Sequence, residues 1–596
     1  MYTVFKLVLR LILVVAVLSG VGCASVAPKN EIVQAQWQGS LVSGLFTTRD
    51  KPLLQEHKGV MYQVRYAAED TLVSHNFQTG KDALIAGAPG DAHLAGVSAY
   101  SDDQNIYAAW RHKLAVDSKQ GLGKNGDKMV YVAHSSNGET FSPATRISTG
   151  NGAFMPVLSG NKSGDVYAVW QDERSGGNYD LYFNVSHDHG ATWKQKDVRL
   201  DVDKEGESFS AEPFLRADGN WVWLTWVEAG KNGCAVYVRA SDDRGDNWRD
   251  AVEVAKCGAN QALFPHLVRS KGRLMVYWFD AKTVKASASA DGGSTWAPAA
   301  TVAEVGADGV TMQDLTVKED ASGAVHLIFG RKGDAKNANT NLYYLKAEDG
   351  EHFSAPVRLN SGDEYRDSAI LPTIAFDTKQ GVMVVWTDYR FFRSVVVGAY
   401  SADRGTTWSH DFLMGSGTEN ATSQFPHLSA KGDEWWVSMV SYIGAESTKM
   451  GQGQTVVNRI DPMAKGILAV SHGVADTSTL KARVSAWWDT RLKADWAGSY
   501  DLMDPFMRSK NSKPGYIASQ GMVTYYAYEF VGFEMNGERQ ATVKVKYTSE
   551  VPEMVINGRK ISVPKQEMET IQDWIYVDGN WYCLFKDLFG NNFREL

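Results

Sequence analysis

Apolar and polar residues alternate with a period of two along much of the chain, the spacing of strands that bury one or both faces. The clearest runs are Asp165–Arg174 (D-V-Y-A-V-W-Q-D-E-R), Arg273–Asp280 (R-L-M-V-Y-W-F-D) and Gly381–Arg390 (G-V-M-V-V-W-T-D-Y-R), each ending in a polar cluster. Looser copies stand at Asn105–Arg111, Trp221–Glu228 and Ala324–Arg331, and further ones at Val60–Tyr66 and Glu434–Tyr442. A shorter apolar segment, often holding a proline, precedes most of them: Met155–Leu158, Pro213–Leu215, Phe264–Leu267, Leu371–Ile374 and Phe425–Leu428. Segments such as Val252–Val254 and Pro356–Leu359 supply a fourth short strand.

A compact box, S-x-D-x-G-x-x-W, recurs ahead of that fourth strand at Ser186–Trp193, Ser241–Trp248, Ser289–Trp296 and Ser401–Trp408. Decayed copies stand at His134–Phe141, with Ser136 and Gly138, and at Lys346–Phe353, with Glu348 and Gly350. The period is roughly fifty residues, the span of a propeller blade. The acids (Asp188, Asp243, Asp291, Asp403) can accept backbone N–H bonds from the residues that follow. The glycines (Gly190, Gly245, Gly293, Gly405) suit a positive φ, and Trp193, Trp248, Trp296 and Trp408 cover the turn. These are turn locks, not catalytic groups.

Four antiparallel strands per repeat, in eight units between about 36 and 472, predict a mostly β chain built as a multi-bladed β-propeller. Seven or eight blades are expected, or six if the terminal units fail. After residue 473 the period lengthens. Asp476 or Thr477 caps a helix carrying Leu480, Val484, Trp487, Trp488, Leu492 and Trp496, and a second helix follows at Ser499–Arg508. Strands come next at Met522–Phe533 and Ala541–Tyr547, then a hairpin, Asp573–Phe585, turning at Asp578-Gly579. This predicts a small α+β domain over 475–596.

Composition narrows the picture. A net charge of −8 with no dense Lys/Arg run gives nucleic-acid binding no electrostatic support. Lys6 and Arg10 ahead of Leu11–Leu18, then Gly22-Cys23, read as a signal peptide over 1–22 and resemble a bacterial lipoprotein signal, with Cys23 as the lipidated residue. Residues 23–35 would be a tether, and the envelope, outer membrane favoured, the location; the N-terminal lipid would be the membrane attachment. Cys234 and Cys257 flank a box symmetrically and are candidates for a disulfide; Cys583 is expected to be a buried thiol. No Cys/His spacing suggests a metal, and no cofactor fingerprint is visible.

Strand direction alternates, so the boxes mark one face of the disc and the ends of the second strands mark the other. That second face gathers Asp172, Glu173, Arg174, Glu228, Asp280, Arg331, Asp388, Tyr389 and Arg390, with Arg393 beside them. Loops between blades add Glu364, Tyr365, Arg366, Asp367 and Glu419.

The boxes, preceded by W-x-D-x-R strand ends, resemble the Asp-box (BNR) repeats of the sialidase superfamily over about 36–472. The C-terminal helices followed by a W-Y hairpin resemble the nuclear-transport-factor-like (cystatin-like) cone fold. The first resemblance implies a sialidase-like propeller. In a sialidase an arginine clamp (here Arg174, Arg366 and Arg390) would hold a substrate carboxylate, a tyrosine (Tyr365 or Tyr389) would be the nucleophile, and Asp172 or Asp388 the acid or base. The family's F/Y-R-I-P arginine is missing: the nearest segments are F-P-H-L at Phe264–Leu267 and Phe425–Leu428. The expected role is recognition of a glycan or an envelope protein on the face opposite the boxes, with Arg174, Arg366, Arg390, Arg393, Glu228, Asp280 and Arg331 as ligand contacts. The alternatives are an exo-glycosidase and a non-catalytic assembly scaffold.

Overall fold

The structure is a computed structural model. It describes residues 32–584 apart from short stretches, the longest being 44–52, 115–126, 306–314, 333–339, 361–368, 415–420, 444–453 and 461–467. The signal segment and Cys23 lie outside the described residues. So do Glu364, Tyr365, Arg366, Asp367 and Glu419, and the side chains of Arg390 and Arg393.

Eight four-stranded antiparallel units follow one another around an axis. Blade 1 spans Leu53–Gly87, blade 2 Ala92–Arg146, blade 3 Ala153–Arg199 and blade 4 Phe209–Lys256. Blade 5 spans Ala262–Glu304, blade 6 Leu315–Arg358, blade 7 Ala369–Leu413, and blade 8 begins at Ala421. The ring closes in two ways. The fourth strand of blade 8 is Gln38–Ser43 from the far end of the chain, paired with Gln454–Ile460. The backbone N–H of Leu54 in blade 1 also donates to Nδ1 of His427 in blade 8, at 3.2 Å. The short strands Ile32–Gln34 and Leu468–Val470 extend blade 7 at its outer edge.

The core lies between blades. Second strands bury both faces: Val166, Ala168 and Trp170 of blade 3 pack on Tyr107, Val130 and Val132 of blade 2, while Tyr167 and Val169 pack on Val222, Leu224 and Trp226 of blade 4. The near-continuous apolar runs in these strands follow from this double burial. Leu54 and Met61, with Phe77 and Trp436, fill the seam where the ring closes.

First strands line the axis, and each of six carries a bulge at the same place. Its residue has positive φ: Gly96 (62°), Met155 (46°), Glu212 (55°), Phe264 (54°), Leu371 (58°) and Phe425 (52°). In the last five a proline follows. A bulky residue with left-handed backbone before proline is a strained arrangement that the surrounding ring holds in place.

Each full box is one hydrogen-bond pattern. In blade 3, Ser186 Oγ accepts from Gly190 N at 2.9 Å and donates to Asp188, whose oxygens take the Thr192 N–H and hydroxyl at 2.8 and 2.6 Å. The Thr407 hydroxyl and backbone hold the equivalent Asp403 carboxyl down at about 2. The decayed boxes are registered differently from the sequence expectation. In blade 2 the working residues are Ser135 and Asn137, whose oxygens accept from Gly138, Glu139 and Thr140; Ser136 is not one of them. In blade 6 the acid is Asp349, which accepts from Glu351 and His352, rather than Glu348. Both turns are one residue shorter between the accepting side chain and the glycine, which places Asn137 next to Gly138 and Asp349 next to Gly350.

The boxes also tie blades together. The residue before the glycine sits at positive φ and reaches the previous blade: Arg244 pairs with Asp165 and Arg404 with Asp320. Burial pushes the Asp165 carboxyl up, but Arg244, His187 and Asn161 together bring it down to about 2.

Cys234 and Cys257 form a disulfide with Cα atoms 5.2 Å apart, and Cys583 is a buried thiol. In the C-terminal region Asp476 accepts from Ser478 N and starts a short turn that leads into α1, Leu480–Leu492. Trp496 does not belong to α1: Asp495 caps a new helix, α2, Trp496–Asp501. That helix stops short of the expected Arg508, because the chain at Leu502–Asp504 pairs with Cys583 instead. Helix α3, Lys513–Ser519, precedes a four-stranded antiparallel meander, Thr524–Met535, Gln540–Ile556, Arg559–Val577 and Asn580–Cys583. Leu480, Val484, Trp487 and Trp488 of α1 pack on Val543, Val545, Trp574 and Trp581 of that sheet. Among the described residues no helix is long and apolar enough to cross a membrane.

Candidate functional site

The W-x-D and W-x-E strand ends of blades 3, 4 and 7 have a local cause. A buried indole N–H needs an acceptor, and the residue two positions on shares its side of the strand. Trp170 Nε1 donates to Asp172 at 3.1 Å, Trp226 to Glu228 at 2.9 Å and Trp386 to Asp388 at 2.9 Å. Asp172 and Asp388 are fully buried.

Arg174 belongs to the same construction. Its Nη2 donates to Asp172 at 2.6 Å and to Asp197 at 2.8 Å, its Nη1 to Asp197 at 3.1 Å, and its guanidinium stacks 3.5 Å over Tyr182. Both terminal nitrogens are engaged, so this arginine has no open fork for a ligand carboxylate. Arg331 is exposed at the end of its strand, 5.8 Å over Tyr343, Asp280 is half-buried, and Tyr389 is partly buried beside Asp388. Of the three clamp candidates only the Arg174 side chain lies within the described residues.

Two other constellations occupy this face. The first is an aromatic ladder near the axial mouth. Arg111, near the end of a second strand, lies 4.7 Å over Phe154. Phe154 stacks on Tyr179 at 5.8 Å, and Tyr179 meets Phe209 edge-on at 5.5 Å. Phe154 and Phe209 open the first strands of blades 3 and 4, and Tyr179 ends the loop that leads into the third strand of blade 3. Phe209 keeps 39% of its surface exposed and the nearby Met155 44%, so apolar surface is offered outward here.

The second is an acidic knot beneath that ladder, in blade 3 and the loop leading to blade 4. Carboxylate oxygens of Asp180, Asp201 and Asp203 lie within 4.8 Å of one another, close enough to hold a cation. The cation among them is the Arg199 guanidinium, which meets Asp180 at 2.9 Å, Asp201 at 2.8 Å and Asp203 at 2.6 Å. Ser210 Oγ stands 3.0 Å from Asp201 and 2.9 Å from Glu228. One hydroxyl proton can serve only one of these two acceptors at a time. Burial, with Asp180 and Glu228 close by, pushes Asp201 up to about 7 against the pull of Arg199, and burial raises Glu228 too.

The sequence reading singled out Glu228 but missed its partners. Arg199–Asp203 (R-L-D-V-D) was the available signal, a charged cluster in an unrepeated loop. Phe154, Tyr179 and Phe209 carried none, because they meet only after two blades pack.

No family model and no curated protein matches the chain. Several solved structures are similar in fold. They include the α-L-arabinanase of Penicillium chrysogenum complexed with arabinobiose, at 17% identity over 52% of this chain and 93% of that one, with TM-score 0.35. Another is the polysaccharide lyase Uly1, at 10% identity over 73% and 98%, with TM-score 0.40. A mutant of the NanB sialidase from Streptococcus pneumoniae matches at 10% identity over 72% and 94%, with TM-score 0.35. With its ring of four-stranded blades and its box turns, the chain carries a multi-bladed β-propeller.

Proposed function

We propose that the propeller is a carbohydrate-recognition module whose binding surface is the aromatic ladder on the face opposite the boxes. The observation that carries this reading is the partly exposed run Phe154–Tyr179–Phe209, capped by Arg111. Aromatic ring faces receive the apolar C–H faces of sugars, and flanking polar groups orient the hydroxyls. Asp172 and Arg174 would act as the rigid wall behind that surface, since both are committed to internal bonds. The test is a glycan array followed by calorimetry. Phe209→Ala is expected to weaken the best glycan by about tenfold, in line with hot-spot aromatics, with folding unchanged. Undiminished binding in Phe209→Ala and Tyr179→Ala would overturn the reading.

A second reading, exo-glycosidase, is favoured by the Asp201–Ser210–Glu228 group, because a carboxyl that keeps its proton near neutral pH is what a general acid needs. Turnover of a fluorogenic glycoside panel that disappears in Glu228→Gln would establish it. In either case we propose that the protein is carried in a bacterial envelope on a lipid at Cys23. Incorporation of radiolabelled palmitate that vanishes in Cys23→Ser tests that point.

A further inference from the structure

The C-terminal region holds a cation whose surroundings differ from those of the propeller arginines. Arg491 lies in the last turn of α1, and its guanidinium stacks 3.8 Å over Trp487. Trp496 of α2 and Tyr525 of the first sheet strand complete the enclosure, at 5.5 and 5.6 Å. Nη1 donates to the Tyr525 hydroxyl at 3.3 Å, and Nε is buried without an acceptor. Among the described residues no carboxylate lies within ion-pair distance of it. Burial raises the Tyr516 and Tyr547 hydroxyls while the Arg491 charge acts against it, so that charge lies close to both.

We propose that Arg491 and the Tyr525 hydroxyl form a site for the carboxylate of a small organic acid whose apolar body lies against Trp496 and Tyr525. A half-buried guanidinium whose Nε is buried without an acceptor carries a cost that a bound anion would relieve. The planar fork selects a planar, bidentate partner, which is a carboxylate. Aromatic walls favour an apolar or aromatic ligand body over a sugar. The rival explanation is packing alone, with cation–π contacts and the helix C-terminus sufficing for the charge.

The test is titration of the full-length chain, purified in detergent, with naphthoate and with the matching neutral naphthyl alcohol, read by tryptophan fluorescence and calorimetry. Naphthoate is expected to bind about tenfold more tightly than the alcohol, the scale of one charge-assisted pair, and Arg491→Gln is expected to erase that preference while leaving alcohol binding in place. No naphthoate binding, equal binding of acid and alcohol, or a preference that persists in Arg491→Gln would each overturn the proposal. Should Arg491→Gln fail to fold, Tyr525→Phe removes only the hydroxyl and is expected to reduce the acid-over-alcohol ratio; an unchanged ratio counts against the site. None of these outcomes depends on the propeller's ligand.

Discussion

The two faces of the disc are made by the same blades and are built on opposite plans. On the box face one turn is written four times with the same bonds, from Ser186–Asp188–Gly190 to Ser401–Asp403–Gly405, and arginines clasp one blade to the one before. On the other face the second strands of blades 3, 4 and 7 end in an indole bonded to an acid, but what lies beyond those ends is different in each. The aromatic ladder occurs around blades 3 and 4, and so does the acidic knot. Repetition marks what every blade needs in order to stand beside its neighbour. Departure from repetition marks where a ligand can be singled out.

Three measurements break or sharpen this contrast. The largest effect is expected from Arg174→Ala. It strands the buried carboxylates Asp172 and Asp197, and removing one partner of a buried pair costs about 3–5 kcal/mol. Urea denaturation reads this as a lowered midpoint; a loss below about 1 kcal/mol, the range of exposed pairs, would mean the lock is a surface ornament.

Next comes the acidic knot. Asp201 is raised from 3.8 to about 7, so its contribution is fully present below about pH 4 and is lost as pH rises through about 7. Arg199, Asp180, Asp203, Ser210 and Glu228 all face it. Asp201→Asn removes this titration, so wild type is expected to lose on the order of 2 kcal/mol relative to Asp201→Asn between pH 4 and 7. Parallel stability curves for the two proteins would show that burial does not hold the Asp201 proton.

The smallest effect is expected on the box face. The Arg244 side chain is 40% exposed and its buried partner Asp165 keeps His187 and Asn161, so Arg244→Ala should cost about 1 kcal/mol or less, and added salt should shrink the difference. If it cost as much as Arg174→Ala, the two faces would not differ in the way described.

Much of the propeller was legible in the chain because burial writes itself locally. The alternation in Asp165–Arg174 is a strand between two blades, and S-x-D-x-G-x-x-W is a turn whose bonds are all within eight residues. Legibility fails where partners are distant. The decayed boxes were placed one residue off because Asn137 and Asp349 serve shorter turns. Trp496 continues the helical spacing of α1 yet starts another helix, since Asp495 caps it. The W-x-D pattern was visible, but that its acid accepts an indole proton and that Arg174 is consumed by Asp172 and Asp197 required the folded neighbours. Phe154, Tyr179 and Phe209 lie on three separate segments and form a surface only in three dimensions.

The eighth blade has a further consequence, which concerns time. Its fourth strand is synthesised before the blades it helps to close, and Gln38 must wait for Arg459 to emerge before it has a partner. Closing so long a loop costs about 5 kcal/mol of chain entropy by the logarithmic rule, and such distant pairing is slow. Until then Leu54 and Met61 lack the seam they share with Trp436, and the first strand of blade 1 lacks the His427 that receives its N–H. A nascent chain is therefore an open spiral with two sticky ends, and its most vulnerable moment comes when all but one of its blades are already made.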